Sequence, residues 1–390
     1  MPPRFERPRL PAHLYVWSEP PDSSGDEVLR FVSQQRSIKM KGHSFREFEQ
    51  RVIPLLDGRR TIEEIERAVA DVFAPADLAA GLELLAQQNL LVDGAGEALP
   101  DRLAEPLAPQ LALFQELKCD PVTMQKRLQQ SVVTLLGVGG IGAAAAAALG
   151  AAGIGTIRCL DGEPVAPSDP YFSSIFAPTA VGSPRADVVA AHLRRSAPQL
   201  NVVTYSDSMD TEDQIRAAIA GSDLVISTLD PGQSALAYKL NRVCLADGVR
   251  WISAALSGTE IIVGPTVLPF ETACYLCYKM RTVSCAGNPE ESFAFEQYLD
   301  RRKRDDSGRR ENLAFGAGVA ANLLAMEAFK LLTGLSQITT AGRIVVFDLL
   351  SFNATHHVVL RKPWCPACFR SGDAMSGGTA ASGDGGDGQR

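Results

Sequence analysis

The sequence predicts an α/β protein with a mostly parallel sheet, preceded by a small α+β module. Three observations point there. Strand-like and helix-like stretches alternate from residue 131 to residue 255, glycines punctuate the first turn of that alternation, and two C-x-x-C pairs follow it. A chain of 390 residues is long enough for two or three domains, each with its own core.

With 38 Lys+Arg against 45 Asp+Glu, the formal charge is −7. That gives no global electrostatic reason to bind nucleic acid or an anionic membrane, and neither is expected as a partner. The first thirty residues carry Pro2, Pro3, Pro8, Pro11, Pro20 and Pro21 and no apolar core of a secretory signal. The longest nearly apolar run, 141–154, is mostly Ala and Gly. It falls short of the ~20 residues a membrane span requires and reads as a buried helix. A cytoplasmic location is expected.

Residues 12–93 read as a separate module. Extended stretches at 14–17, 28–32 and 37–40 precede three amphipathic helices with apolar faces Phe45/Phe48/Val52/Leu55, Ile62/Ile65/Val69/Val72 and Leu78/Leu82/Leu85/Leu90. Thr61 followed by Glu64 has capping-box spacing, and Asp57-Gly58 marks the turn before it. The order suggests a winged-helix-like fold whose strand edge and neighbouring helix form a groove for an extended peptide. A packing or dimerisation domain is the alternative.

Residues 94–110, rich in Gly and Pro, read as a linker, and 111–130 as a helix leading into a domain spanning 111–370. Within it, strands are expected at 131–136, 154–160, 202–205, 224–227 and 251–255, with helices at 143–152, 185–196, 212–220 and 234–246. Such alternation requires a parallel sheet covered on both faces. After Gly264 the pattern becomes strand, cysteine pair and polar loop, then an Ala-rich helix at 312–332, two strands and the second cysteine pair. The Gly/Ser/Asp tail, 371–390, has too few apolar residues to fold and is expected to be disordered.

Gly137, Gly139 and Gly142 fit G-x-G-x-x-G between a strand and a helix, and Asp161 ends the next strand 19 residues on. This is a Rossmann-like nucleotide site: backbone N–H groups hold phosphate and the carboxylate accepts from ribose hydroxyls. Spacing alone favours a nicotinamide or flavin dinucleotide, and a turn kept only for helix packing would look the same. Cys274/Cys277 and Cys365/Cys368, 88 residues apart, supply four thiolates for a closed, structural zinc site. A redox pair is the other use. Such a clamp counts against a hydride-transfer enzyme.

Taken in order, Gly137-Val-Gly-Gly-Ile-Gly142, Ala151-Ala-Gly-Ile-Gly155, Asp161-Gly-Glu-Pro-Val165, Val181-Gly-Ser-Pro-Arg185, Thr228-Leu-Asp230, Gly264-Pro-Thr-Val-Leu-Pro269 and the two cysteine pairs resemble the ThiF/MoeB/HesA superfamily, the ubiquitin-activating-enzyme-like fold. Together with the N-terminal module, the pattern is most similar to the branch acting on ribosomally made, post-translationally modified peptides. That branch includes the synthetase for microcin C and the ThiF-like partners of azoline-forming cyclodehydratases. The resemblance implies activation of a peptide carboxylate as its acyl-adenylate, using ATP and Mg2+, with homodimerisation and a leader peptide as partner. By motif, Gly137, Gly139, Gly140 and Gly142 would line ATP, Asp161 would bind ribose, and Asp230 would sit by magnesium and phosphates. Asp169 takes the place of the family's cofactor-site Asn, Arg185 that of its catalytic Lys, and Phe172 that of a phosphate-binding Arg. A fork replaces a point ammonium at Arg185. The arginine expected near 111–116 has no match. These departures keep a second reading open: a non-catalytic scaffold that delivers a precursor peptide to a separate modification enzyme.

Cys285 is expected in a mobile loop, as a free thiol with no placed base. Cys119, Cys159 and Cys244 read as buried small apolar residues. Residues 301–304 and 309–310 form a basic cluster that either covers ATP or is a solvated face. His356 and His357 fall on opposite faces of a strand, which makes them poor joint ligands.

Overall fold

The computed structural model describes residues 5–20, 23, 25–96, 98–229, 232–302 and 313–370. It contains two compact units, Met1–Met124 and Gln125–Arg390. The expectations for Asp230, for most of the basic cluster and for the tail 371–390 lie outside the described residues.

In the first unit, β1 (Pro8–Arg9) precedes an antiparallel meander of β2 (Tyr15–Glu19), β3 (Glu27–Val32) and β4 (Ser37–Gly42), with β3 central. Three helical stretches follow, and β5 (Val92–Asp93) returns to pair with β1. The first stretch, 45–55, winds as a π-helix over Phe48–Val52. The second, Ile62–Val69, starts with both reciprocal bonds of the capping box: Glu64 N–H to Thr61 Oγ1 at 3.3 Å and Thr61 N–H to Glu64 Oε2 at 2.9 Å. The third, Pro75–Gln87, places a proline where no intrahelical N–H is needed. Leu29, Phe31, Phe48, Val52, Ile65, Val69, Leu78, Leu82, Leu85 and Leu90 close one core. Val72, expected on the buried face, lies past the helix end and is exposed.

One expectation fails between 94 and 130, that of a single helix over 111–130. The stretch read as a linker contains helices Asp101–Ala104 and Ala108–Glu116, because Pro100 and Pro109 sit at helix starts, where a missing N–H costs nothing. The single helix expected over 111–130 is broken: Lys118 adopts a left-handed φ of 59° and Pro121 begins a new helix, Pro121–Gln130.

The second unit is built on an eight-stranded sheet made of β6 (Val132–Leu136), β7 (Thr156–Leu160), β8 (Asn201–Tyr205), β9 (Leu224–Ser227), β10 (Trp251–Ser257), β11 (Glu260–Val263), β12 (Arg343–Asp348) and β13 (Ala354–Val358). Its order is β13-β12-β11-β10-β9-β6-β7-β8. From β8 to β10 every pairing is parallel, and from β10 to β13 every pairing is antiparallel. The chain runs outward from β6 through β7 to β8, then returns to β6's other side as β9. That reversal opens a crevice at the carboxyl ends of β6 and β9, the place where open α/β sheets bind ligands.

Small residues set the packing around the crevice. Helix Gly140–Ala151 buries Ala143, Ala145, Ala146 and Leu149, and helix Ala314–Thr333 packs closely on it and on β10 through Gly316, Ala317, Ala320 and Ala321. The latter helix is long and apolar enough by composition to cross a membrane. Here one side lies in the core while Phe315, Leu323 and Met326 are exposed.

The region expected as a polar loop after the first cysteine pair holds two helices, Tyr275–Ser284 and Pro289–Arg302. The second has a readable start. Asn288 Oδ1 accepts the Glu291 N–H at 3.1 Å, Pro289 follows, and Glu290 and Glu291 favour the positive helix end. Cys285 is therefore not mid-loop: it caps helix Tyr275–Ser284 and is exposed.

Candidate functional site

The glycine loop spans the reversal point. Gly137 adopts φ +88°, and its carbonyl accepts the Thr228 hydroxyl at 2.7 Å, joining the ends of β6 and β9. A Cβ on Gly142 would lie 2.1 Å from Gly137 O, and one on Gly140 would lie 2.7 Å from Phe172 Cβ. Those positions are glycine because backbone or ring passes too close for anything else. Gly139, at the N-terminus of helix Gly140–Ala151, faces open space instead.

Asp161, just past β7, turns back onto this loop. Its Oδ2 accepts the Val138 N–H at 2.8 Å and its Oδ1 the Glu163 N–H at 2.9 Å. Arg185, the first residue of helix Arg185–Ser196, reaches across with Nη1 3.9 Å from Asp161 Oδ2. Its main contact is Asp169: Nε to Oδ2 at 2.7 Å and Nη2 to Oδ1 at 3.1 Å, a buried fork-to-carboxylate pair. Asp169 Oδ2 also accepts the Ala166 N–H at 2.8 Å. The structure thus brings Asp161, Asp169 and Arg185 into one buried cluster beside the glycine loop.

Against the loop lies a cavity of about 240 Å3, lined by Gly139, Gly140, Asp169, Phe172, Thr228 and Leu256 among others, so that Asp169 belongs both to the buried cluster and to the cavity wall. Among the described lining residues there is no Lys, Arg or His. Helix Pro289–Arg302 is fastened next to it. Glu296 pairs with Lys279 at 2.7 Å and accepts the Tyr238 hydroxyl at 3.3 Å, while Asp300 accepts the Ser234 N–H at 2.9 Å. Burial, then the Glu296 charge, pushes the Tyr238 phenol well above its ordinary range. Thr228, Phe172 and the β10 alanines are parts of the site that the sequence did not single out as cavity walls. The Thr228-Leu-Asp230 motif was the available signal for Thr228.

The four cysteines of the two pairs are buried, with Sγ atoms all within 4.8 Å of one another. Cys274 stands 3.8 Å from Cys277 and 3.8 Å from Cys365, and Cys277 stands 3.6 Å from Cys368. Ligands at about 2.3 Å in a tetrahedron have edges of roughly 3.8 Å, so the cluster fits Zn2+ with no open position. Hydrogen bonds from Cys274 and Cys368, and from the Lys362 N–H, hold the Cys277 thiol below its ordinary range. Arg361 tightens the surround, donating to the carbonyls of Phe270 and Cys368 at 2.9 and 2.8 Å.

Other candidates carry less. His356 and His357 lie on exposed β13, on opposite faces, as expected. Cys159 and Cys244 are buried, and burial pushes the Cys159 thiol up to about 12. Cys119 departs from expectation in being only half-buried.

The ThiF family model matches residues 107–367, two thirds of the chain. The chain belongs to the ThiF family. Similar proteins include the molybdopterin-synthase adenylyltransferase of Escherichia coli K12, 27% identical over 246 residues that cover 63% of this chain and 89% of that protein. The sulfur carrier protein ThiS adenylyltransferase of the same strain is 26% identical over 248 residues, covering 63% and 88%. Protein HesA, heterocyst, of Trichormus variabilis is 28% identical over 249 residues, covering 63% and 82%. Among solved structures, E. coli MccB with ATP superposes with a TM-score of 0.66 at 16% identity, covering 93% of this chain and 99% of that one. PaaA does so at 0.67 and 18%, covering 90% and 99%. At such identities these two show that this ThiF-family chain shares their fold.

Proposed function

We propose that this chain activates a carboxylate of a ribosomally made precursor peptide as its acyl-adenylate. The observation that carries the reading is the glycine loop at the sheet's reversal point, with Asp161 beside it, in a ThiF-family chain. Loop N–H groups and the N-terminus of helix Gly140–Ala151 offer donors to phosphate. Asp161 takes ribose, and Asp230 keeps the magnesium and phosphate role that its motif implies. Arg185 and Asp169 hold the wall between them. One carboxylate oxygen bonds to the α-phosphorus of ATP as the bond to the leaving pyrophosphate breaks. Zinc in the four-cysteine cluster would be structural, joining the segment after β13 to the helix at Tyr275.

The N-terminal unit is assigned to leader-peptide recognition by a winged-helix-like fold, through strand addition at a sheet edge. E. coli MccB has been crystallised with MccA-N7isoASN, and the microcin C7 biosynthetic enzyme MccB with N-formylated MccA, which supports a peptide as this chain's partner too. We further propose a homodimer in the cytoplasm, where thiols stay reduced and ATP is supplied.

One observation favours a second reading, the non-catalytic scaffold serving a separate modification enzyme. Arg185 is engaged by Asp169, and Phe172 stands at the family's arginine position, so among the described residues phosphate is offered few cations. ATP–pyrophosphate exchange decides, run with Mg2+, with and without the precursor peptide encoded beside this protein, and with Asp230→Ala as blank. Peptide-dependent exchange that the blank lacks establishes adenylation. Tight peptide binding without exchange establishes the scaffold.

A further inference from the structure

We infer that a second cavity, at the opposite edge of the sheet from the glycine loop, binds a small monocarboxylate with an apolar body. This goes beyond the adenylation reading and does not depend on it.

Position separates the two sites. Gly137 and Thr228 follow the carboxyl ends of β6 and β9, whereas Arg250 directly precedes β10 and Asp223 directly precedes β9. Arg250 Nε donates to the Asp223 carbonyl at 3.1 Å, which fixes this corner at the amino ends of the parallel strands. The cavity there has a volume of about 540 Å3 and shares no lining residue with the one at the glycine loop. That is within the roughly 300–1,000 Å3 of small-molecule sites.

The walls are apolar and one of them is held in a costly conformation. Leu245, Leu268, Pro269, Phe270, Leu331 and Ile338 line the space. Phe270 has a left-handed φ of 65°, which a bulky side chain rarely adopts. Two arginines fix it there: its carbonyl accepts from Arg361 Nη1 at 2.9 Å, and the guanidinium carbon of Arg370 lies 3.3 Å from its ring centroid. Strain of this kind persists where the surroundings over-determine it, and it gathers at ligand clamps.

Charge decides the class. Arg250 and Arg370 stand in the lining against one acid, Glu271. The contact with Asp223 uses Arg250 Nε and leaves the two Nη groups as a fork for a carboxylate. Helices Ser234–Asp247 and Ala314–Thr333 both reach the cavity by their last turns, through Leu245 and Leu331, and bring the negative ends of their dipoles. A polyphosphate would meet those ends with no helix N-terminus among the described lining residues to offset them. A single carboxylate on the Arg250 fork, with its hydrocarbon against the apolar wall, suits both the charge and the dipoles.

The test titrates the full-length protein with octanoate, octanamide and octylamine by isothermal calorimetry. One octanoate per chain is expected, bound at least about tenfold more tightly than the amide or the amine, the difference that hydrogen bonds to a charged group supply. Arg250→Gln should erase that preference and leave octanamide affinity unchanged. Ala246→Phe, at an exposed position in the lining, should weaken octanoate and octanamide together. Octanoate that fails to bind, binds no better than its amide, or binds both variants as well as the parent overturns the inference. So does binding that appears only once residues 371–390 are removed, which gives the cavity to the chain's own tail, or binding that weakens as protein concentration rises, which gives it to a second copy. The comparison of three ligands on the unaltered protein decides even where a variant fails to fold.

Discussion

The guanidinium of Arg185 grips the carboxylate of Asp169 with two hydrogen bonds, 2.7 and 3.1 Å long, in a pair that is almost wholly buried. Where the family pattern has Lys and Asn, this chain has a fork and a carboxylate that satisfy each other. Breaking one side leaves a buried charge alone, which costs about 3–5 kcal/mol. Arg185→Ala is therefore expected to destabilise the fold by that order in urea denaturation. The double variant Arg185→Ala/Asp169→Ala should lose less than the sum of the two single changes. If Arg185→Ala lowers nucleotide affinity with no loss of stability, the guanidinium serves phosphate and not Asp169.

The loop glycines separate by what surrounds them. A methyl at Gly142 would meet Gly137 O at 2.1 Å and Thr228 Oγ1 at 2.6 Å, so Gly142→Ala must push β6 and β9 apart. A methyl at Gly139 meets nothing within 4 Å. Gly139→Ala should unfold at the parental denaturant concentration yet bind ATP at least about tenfold more weakly, because the methyl enters the space proposed for phosphate. Gly142→Ala should lose stability and binding together. Isothermal titration with ATP beside urea melts distinguishes the two patterns.

Much of this was legible in the chain because it is written in local terms. The β6–loop–helix unit needs glycines at 137 and 142 for steric reasons that show as spacing, and Thr61 with Glu64 announces a helix start that the structure repeats bond for bond. Less legible were features that depend on distant partners. Nothing near Arg185 in sequence says that Asp169 will occupy its fork, because a helix start and a short turn sixteen residues earlier meet only in the fold. Prolines at 100 and 109 read as breaks but serve as helix starts, since the two uses share one backbone geometry, and Pro121, inside a stretch that reads as one helix, begins a new one. The Asn288-Pro-Glu-Glu helix start is a local signal, set in a stretch whose polarity reads as loop.

Asp93 ties down the N-terminal segment and makes it acid-sensitive. Its carboxylate accepts the N–H groups of Glu6 and Arg7, each at 3.0 Å, and of Ala95. Burial works to raise its pKa, but these bonds outweigh it and hold the group below the usual carboxylate range. A depressed folded-state pKa means stability that is complete above the unfolded value, about 3.9, and lost as pH falls below it. Asp93→Asn should be slightly less stable at pH 7 and should flatten this loss. Denaturant midpoints at pH 7, 5, 4 and 3 measure both. An unchanged acid slope in the variant removes Asp93 from the account.

Four thiols at tetrahedral spacing, drawn from helix Tyr275–Ser284 and from the segment after β13, have one economical explanation. Cys274, Cys277, Cys365 and Cys368 are all buried, and four thiolates packed so closely repel unless a cation stands between them. One zinc per chain is expected in protein purified without added metal, read by inductively coupled plasma mass spectrometry. Cys368→Ala should lose the metal and lower the thermal midpoint, because metal binding and folding are coupled. Ser at the same position should do the same, since a hydroxyl does not replace thiolate at zinc. Wild-type protein that is metal-free yet melts like the variants would instead make the cluster a packed set of neutral thiols, with the C-terminal segment held to the body by contacts such as Arg361 to the Phe270 carbonyl.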